Sequence, residues 1–331
     1  MRVFLLTICL VLVQCNFGLS LSFDHLKHFN DGRIQPDVRR RKLLHQPIAY
    51  ASLMVPIARP YPCQASEPQV PNSNVFEVQD PDTYSAVVYV PPKYQSKSQS
   101  TDKESLPLIV LLHGAGMNQN SALYEFTHSG SSSSAPGDHT QLPLFLLSNN
   151  QAPASLADNF VVVAPYVGKG KIGSLYNEPR TSIIAFVKWF RRYMEDQNSI
   201  SINPQKVTLF GFSEGATLAV ELATTRMFNA LVLASYGFTG TLPRLAVERL
   251  QGLPIWVFHS EGDDIYNIEC SKRLVESVMS YQSGLDVFGV GGTIKFTKLK
   301  PNESAGKGRE HVRSALIASR SEEIYTWLLR Q

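Results

Sequence analysis

Short apolar runs recur along the chain, separated by polar or amphipathic stretches. Residues 84–90 read Tyr-Ser-Ala-Val-Val-Tyr-Val, and residues 108–112 read Leu-Ile-Val-Leu-Leu. Residues 160–164, 207–210, 230–235 and 254–259 repeat the theme with β-branched and aromatic side chains. Runs of this length and type predict strands. Where such a run lacks alternation, both faces are buried, as in a parallel sheet covered by helices. Residues 293–299 alternate instead and predict an edge strand. Between the strands the period changes. Ile183, Ile184, Val187, Phe190 and Met194 recur at i, i+3/i+4 spacing and predict a helix over 181–194. Trp189 on that helix is expected in core packing. The Ala/Leu-rich stretch 216–223 is made of good helix formers. Residues 271–281 predict another helix, and 320–329 a closing amphipathic one with Ile324, Trp327 and Leu328 facing in. Strands alternating with helices, without internal repeats, predict the α/β class: a mostly parallel central sheet with helices on both faces.

Turn residues and composition divide the chain. Pro91-Pro92 ends the first strand, and 93–106 form a polar loop. Residues 118–158 hold a Ser-rich segment, 129–134, and an apolar patch, 142–147. They predict a flexible insertion followed by a short helix, where lids and substrate loops belong. Residues 1–22 carry Arg2, the apolar run 3–13 and then small residues, the layout of a secretory signal peptide. An uncleaved signal anchor is the competing reading. The expected layout is a signal peptide over 1–20, an irregular Pro-rich arm or propeptide over 21–75, and one catalytic domain over 76–331. Arg39-Arg40-Arg41-Lys42 in the arm reads as a solvated charge run or a processing site.

Charge and cysteines refine this picture. The net charge is +3, but Arg2 and the basic run at 39–42 supply five positive charges, leaving −2 elsewhere. No general basic face for nucleic acid is expected. No stretch after the leader is long and apolar enough to span a bilayer. Cys9 and Cys15 would leave with the leader, so Cys63 and Cys270 remain. In an oxidising compartment they read as one disulfide or as two buried thiols. Asn302-Glu303-Ser304 is a glycosylation sequon, consistent with export.

The chemistry centres on Gly211-Phe212-Ser213-Glu214-Gly215, between the strand at 207–210 and the helix at 216–223. A serine flanked by glycines where a strand turns into a helix is the nucleophile-elbow context. A serine hydroxyl needs a general base, and the base needs a third group to orient it. In an open α/β sheet these gather after strand ends. Asp263, past the strand at 254–259, is the chosen acid, with Asp264 and Glu261 as rivals. His311 is the only histidine downstream of the acid and sits in a polar, Gly-bearing loop. The order Ser213, Asp263, His311 matches the order of the elbow motif. His259 and His113 are expected to shape their turns. The oxyanion hole is assigned to the backbone amides of Glu214 and Ala115, the latter in His113-Gly114-Ala115-Gly116. No Cys/His cluster points to a metal, and no cofactor is expected.

These stretches together resemble a family. Tyr89-Val90-Pro91-Pro92, residues 107–116, 161–165, 202–213 and 254–259 with Asp263, then His311 with Trp327-Leu328-Leu329, are similar to serine hydrolases of the α/β-hydrolase fold. The matching branch covers polyhydroxybutyrate-depolymerase-like, feruloyl-esterase-like and "predicted peptidase" proteins, akin to phospholipase/carboxylesterases. The resemblance implies secreted hydrolysis of small or polymeric carboxylic esters through an acyl-enzyme on Ser213. A peptidase on the same scaffold and a non-catalytic binding protein remain alternatives. Three positions depart from the branch: Glu214 replaces Met or Gln after the nucleophile, Ser260 replaces Gly after His259, and Glu310 replaces Gly before His311.

Overall fold

A computed structural model describes residues 74–95, 105–115, 121–128, 142–167, 175–283, 294–302 and 308–331. The expected leader, the expected arm up to residue 73, Cys63, the Ser-rich segment and Ser304 of the sequon lie outside these residues. The apolar runs become strands β1 (Val75–Gln79), β2 (Ser85–Tyr89), β3 (Leu106–Leu112) and β4 (Val161–Tyr166). They continue as β5 (Ile202–Phe212), β6 (Ala230–Ala234), β7 (Ile255–Ser260) and β8 (Ile294–Leu299). The sheet order is β1-β2-β4-β3-β5-β6-β7-β8. β1 and β2 run antiparallel at one end, and every pairing from β4 to β8 is parallel.

The period-2 pleat divides each central strand between two cores. Val207 and Leu209 of β5 enter one, while Phe210 and Phe212 enter the other. The first face is covered by α5 (Arg180–Asn198), α6 (Glu214–Ala223) and α8 (Glu269–Ser283). Ile183, Phe186, Val187, Phe190 and Met194 on α5 are all buried there, each gaining about 2 kcal/mol over an exposed position. Trp189 packs against this core from its margin. The opposite face is covered by α2 (Ala122–Thr127), α3 (Pro143–Ser148), α4 (Ala154–Asn159), α9 (Arg309–Arg320) and α10 (Glu322–Leu329). Two shorter helices, α1 (Pro92–Gln95) and α7 (Arg244–Leu250), lie in connections.

Several expectations need correction. A strand not expected from the sequence, β1 at Val75–Gln79, begins where the expected arm meets the expected catalytic domain and pairs with β2 along its whole length. The insertion contains three short helices among its described residues rather than one. His311 stands in the first turn of a helix rather than in a loop. Its preceding Gly308, at φ +74°, starts that helix from a left-handed conformation favoured by glycine.

The topology also fixes where chemistry can gather. From β3 the chain crosses to β4 on one side, then to β5 on the other. Such a reversal opens a crevice at the carboxyl ends of the strands. Leu112 at the end of β3 is paired with Gly211 of β5, so His113-Gly114 and Phe212-Ser213 leave the sheet side by side.

Candidate active site

The turn after β5 is tight because its surroundings leave no room. A Cβ on Gly211 would lie 2.5 Å from the Gly215 carbonyl oxygen, and one on Gly215 would lie 2.0 Å from the Leu112 oxygen. Glycine at both positions lets α6 start directly against β3. Ser213 takes the strain, with φ 57° and ψ −123°. Such a conformation costs a non-glycine residue on the order of 1–3 kcal/mol and clusters at functional sites. The Ser213 amide donates to the Ala234 carbonyl at 2.9 Å, tying the strained residue to β6.

Three strand ends supply a chain of hydrogen bonds. The Ser213 hydroxyl, after β5, lies 2.9 Å from Nε2 of His311. Nδ1 of His311 lies 2.8 Å from Oδ2 and 3.1 Å from Oδ1 of Asp263, in the turn after β7. An ionised carboxylate only accepts, so Nδ1 carries the ring proton and Nε2 is left to accept from serine. All three side chains are sheltered: Ser213 is 7% exposed and His311 6%, and the Asp263 side chain is fully covered.

The turn around Asp263 satisfies that carboxylate completely. Oδ1 accepts the backbone amides of Ile265 and Tyr266, each at 2.9 Å. Oδ2 also meets Nε2 of His259 at 3.1 Å. Burial alone would raise the Asp263 pKa; hydrogen bonds from His259 and His311, the His311 charge and the Tyr266 amide reverse this and hold it well below the ordinary carboxylate range. Among the rivals, Asp264 is engaged elsewhere, accepting the Gly308 amide at 3.0 and 3.2 Å where α9 begins. Glu261 is exposed.

His259 does more than shape a turn. Nε2 faces two acceptors, the Tyr266 carbonyl at 2.9 Å and Asp263, and therefore carries a proton. Nδ1 can then accept the Ser271 hydroxyl at 2.7 Å. A second buried histidine thus grips the carboxylate that meets His311. Ser235 was also missed at the sequence level. It is fully buried, has φ 52°, and its hydroxyl donates to the His311 carbonyl at 2.8 Å. Nothing in an apolar strand run marks its last serine for this work.

The departures at 260 and 310 form one contact. The Ser260 hydroxyl donates to the Glu310 carboxylate, which also meets Arg313 at 3.0 Å and the Asn302 amide at 3.3 Å. This ties the first turn of α9, and with it His311, to the end of β7. His113 is buried beside Phe126 and Tyr166, its Nδ1–H donating to the Gly114 carbonyl at 2.8 Å.

The two proposed oxyanion donors flank the serine. Glu214 is the first residue of α6, where helical N–H groups point outward along the axis. Ala115 follows Gly114, whose hydrogen side would place a Cβ 3.1 Å from the Ser213 Cβ, so this backbone runs against the serine. Burial raises the phenol pKa values of Tyr176 and Tyr266; Glu221, which accepts from the Tyr176 hydroxyl, adds to this at Tyr176, and the Glu214 carboxylate adds at both. A separate cavity of about 310 Å³ is lined by Tyr236, Phe238, Leu242, Cys270 and Arg273 among others, and by none of the three hydrogen-bonded residues. Cys270 is a buried free thiol among the described residues. Among those residues, no group of three or more His, Cys, Asp or Glu side chains is arranged to hold a metal ion, and no helix is long and apolar enough to cross a membrane.

Neither a protein-family model nor a curated protein matches the sequence. Solved structures do. A thermostable esterase superposes with a TM-score of 0.54 at 20% identity, over 78% of this chain and 62% of that one. The chain therefore spans under two thirds of that structure's length. The carboxylesterase Cest-2923 from Lactobacillus plantarum WCFS1 gives a TM-score of 0.49 at 14% identity, over 78% and 97% of the two chains. A ferulic acid esterase gives 0.47 at 13%, over 77% and 96%. At such identities a likeness speaks to architecture alone. With the sheet order and the elbow described above, the first of these matches shows that the chain has the α/β-hydrolase fold.

Proposed function

We propose that this protein is a serine hydrolase of carboxylic esters, with Ser213 as nucleophile, His311 as general base and acid, and Asp263 as the group that orients the imidazole. The hydrogen-bond chain from Ser213 through His311 to Asp263 carries this reading. His311 Nε2 takes the serine proton as Oγ attacks the ester carbonyl carbon. The carbonyl electron pair moves onto oxygen, where the amides of Ala115 and Glu214 receive it; each such donor is worth about 3 kcal/mol of barrier. When the intermediate collapses, the bond to the leaving oxygen breaks and that oxygen takes the proton from His311. Water then repeats the sequence on the acyl-enzyme, giving up a proton to His311 and releasing the acid and Ser213.

The binding-protein alternative rests on Glu214, whose charge beside the oxyanion would oppose acyl chemistry. Matched ester and amide substrates test the reaction class. Turnover of esters that falls on the order of a millionfold in Ser213→Ala supports the proposal. Faster turnover of the amide of the same acyl group would make it a peptidase. The signal-peptide layout of residues 1–22 supports the further proposal that the protein takes the secretory route; expression of the full chain should release it to the medium shortened at its amino terminus, and retention in the cytosol would refute this.

A further inference from the structure

Asp263 lies in the connection between β7 and α8, and side chains from both ends of that connection close it. His259, the next-to-last residue of β7, is fully buried, as is Ser271 in the first turn of α8. They meet across the connection, with His259 Nδ1 2.7 Å from Ser271 Oγ. The other ring nitrogen faces the turn. His259 Nε2 lies 2.9 Å from the Tyr266 carbonyl oxygen and 3.1 Å from Asp263 Oδ2. Oδ2 is the same oxygen that lies 2.8 Å from His311 Nδ1. One carboxylate oxygen is therefore held between two imidazoles, one on β7 and one on α9. Oδ1 is held separately, by the Ile265 and Tyr266 amides at 2.9 Å.

Resting on the esterase reading above, we infer that His259 is a positioning residue of the reaction: backed by Ser271, its Nε2–H bridges the Tyr266 carbonyl and Asp263 Oδ2 and keeps that oxygen on His311. The two amides fix Oδ1, so the place of Oδ2 is set by the two rings. A single proton covers two acceptors here. Without it, the Tyr266 carbonyl and Asp263 Oδ2 would face each other in a buried space with lone pairs uncovered, which costs free energy and drives them apart. Oδ2 then loses its alignment with His311 Nδ1, and the imidazole can take either tautomer. The form with its proton on Nε2 cannot accept from Ser213. The Ser271 hydroxyl donates to His259 Nδ1 and so keeps the His259 proton on Nε2, where the bridge needs it. Burial pushes the Asp263 pKa up, and the contacts with His259 and His311 bring it down. His259 itself transfers no proton and touches no reacting atom.

The test compares His259→Gln, His259→Leu and Ser271→Ala. Glutamine brings an amide N–H near the Nε2 position and keeps the bridge, whereas leucine fills the space without a donor. His259→Leu should lower kcat for an ester about 10- to 100-fold with KM unchanged, the range for a lost hydrogen bond to a charged group, and His259→Gln should recover most of this. Ser271→Ala, the mildest change, should lower kcat about two- to tenfold. Ring-nitrogen NMR of His311 at about pH 9, above the ordinary imidazole range, gives a readout that mere packing would not move. The proton should stay on Nδ1 in wild type and His259→Gln, and both tautomers should be present in His259→Leu. Equal losses in the two His259 variants, or a His311 proton that stays on Nδ1 in His259→Leu, would overturn the inference and make His259 a packing residue. If leucine prevents folding, Ser271→Ala decides, and a wild-type kcat there would overturn it. Failure of the esterase reading shows differently, as wild type and Ser213→Ala hydrolysing the ester equally slowly, and the nitrogen spectrum needs no substrate.

Discussion

Asp263 illustrates how one residue is selected from a crowded turn. Glu261, Asp263 and Asp264 lie within four positions, yet their surroundings differ completely. Asp263 receives two backbone amides and two imidazoles, while Asp264 holds the start of α9. Asp263→Asn should lower kcat about 10⁴-fold, because the amide favours the wrong histidine tautomer. Asp264→Asn should change it about twofold, as for an ordinary surface site. The reverse ranking in one ester assay would refute the assignment. The depressed Asp263 pKa also has a stability consequence. Its folded value lies below the unfolded one of about 3.9. Ionised Asp263 therefore stabilises the fold fully above about pH 4, and this is lost as pH falls through the folded value. The unfolding free-energy gap between wild type and Asp263→Asn should narrow as pH drops from about 6 to about 3. A gap that widens on acidification would contradict the linkage. At this scale the sequence was legible for Ser213, His311 and Asp263, because chain order and strand ends restrict the choice. It was silent on His259, Ser235 and the Ser260–Glu310 contact, since each depends on which strand ends become neighbours.

Elements show a different limit. Strands with uninterrupted apolar runs were readable to within a few residues, because burial on both faces leaves an unmistakable pattern. β1, short and half exposed, was hidden by the prolines before it. α9 was hidden because its buried face is built from Ser314, Ala315, Ala318 and Ser319, small residues that carry little periodic signal. Close packing against β7 demands that smallness. The elbow shows the same economy, with Gly215 packed on the backbone of β3. Gly215→Ala must push β3 and α6 apart and should destabilise the protein by about 3 kcal/mol. Denaturant unfolding would show it, and wild-type stability in that variant would mean the approach of α6 to β3 is looser than described.

Across the whole molecule, local patterns converge on one crevice. β3, β5 and β7 each end beside the next participant: the Gly114 turn, Ser213, and the Asp263 turn. β6 adds Ser235, which holds the backbone of His311. The two cores bury both faces of the strands at this end of the sheet, and on the proposed reading this holds the hydrogen-bond chain preorganised. Preorganisation of that kind is what makes a serine hydroxyl reactive, and it gives the central claim a direct chemical test. A fluorophosphonate probe attacks only an activated serine. Incubated with the purified full chain and followed by peptide mass spectrometry, it should form one covalent phosphonyl adduct at Ser213, absent in Ser213→Ala and strongly slowed in His311→Ala. Labelling no faster than in Ser213→Ala, or an adduct on another residue, would contradict the account.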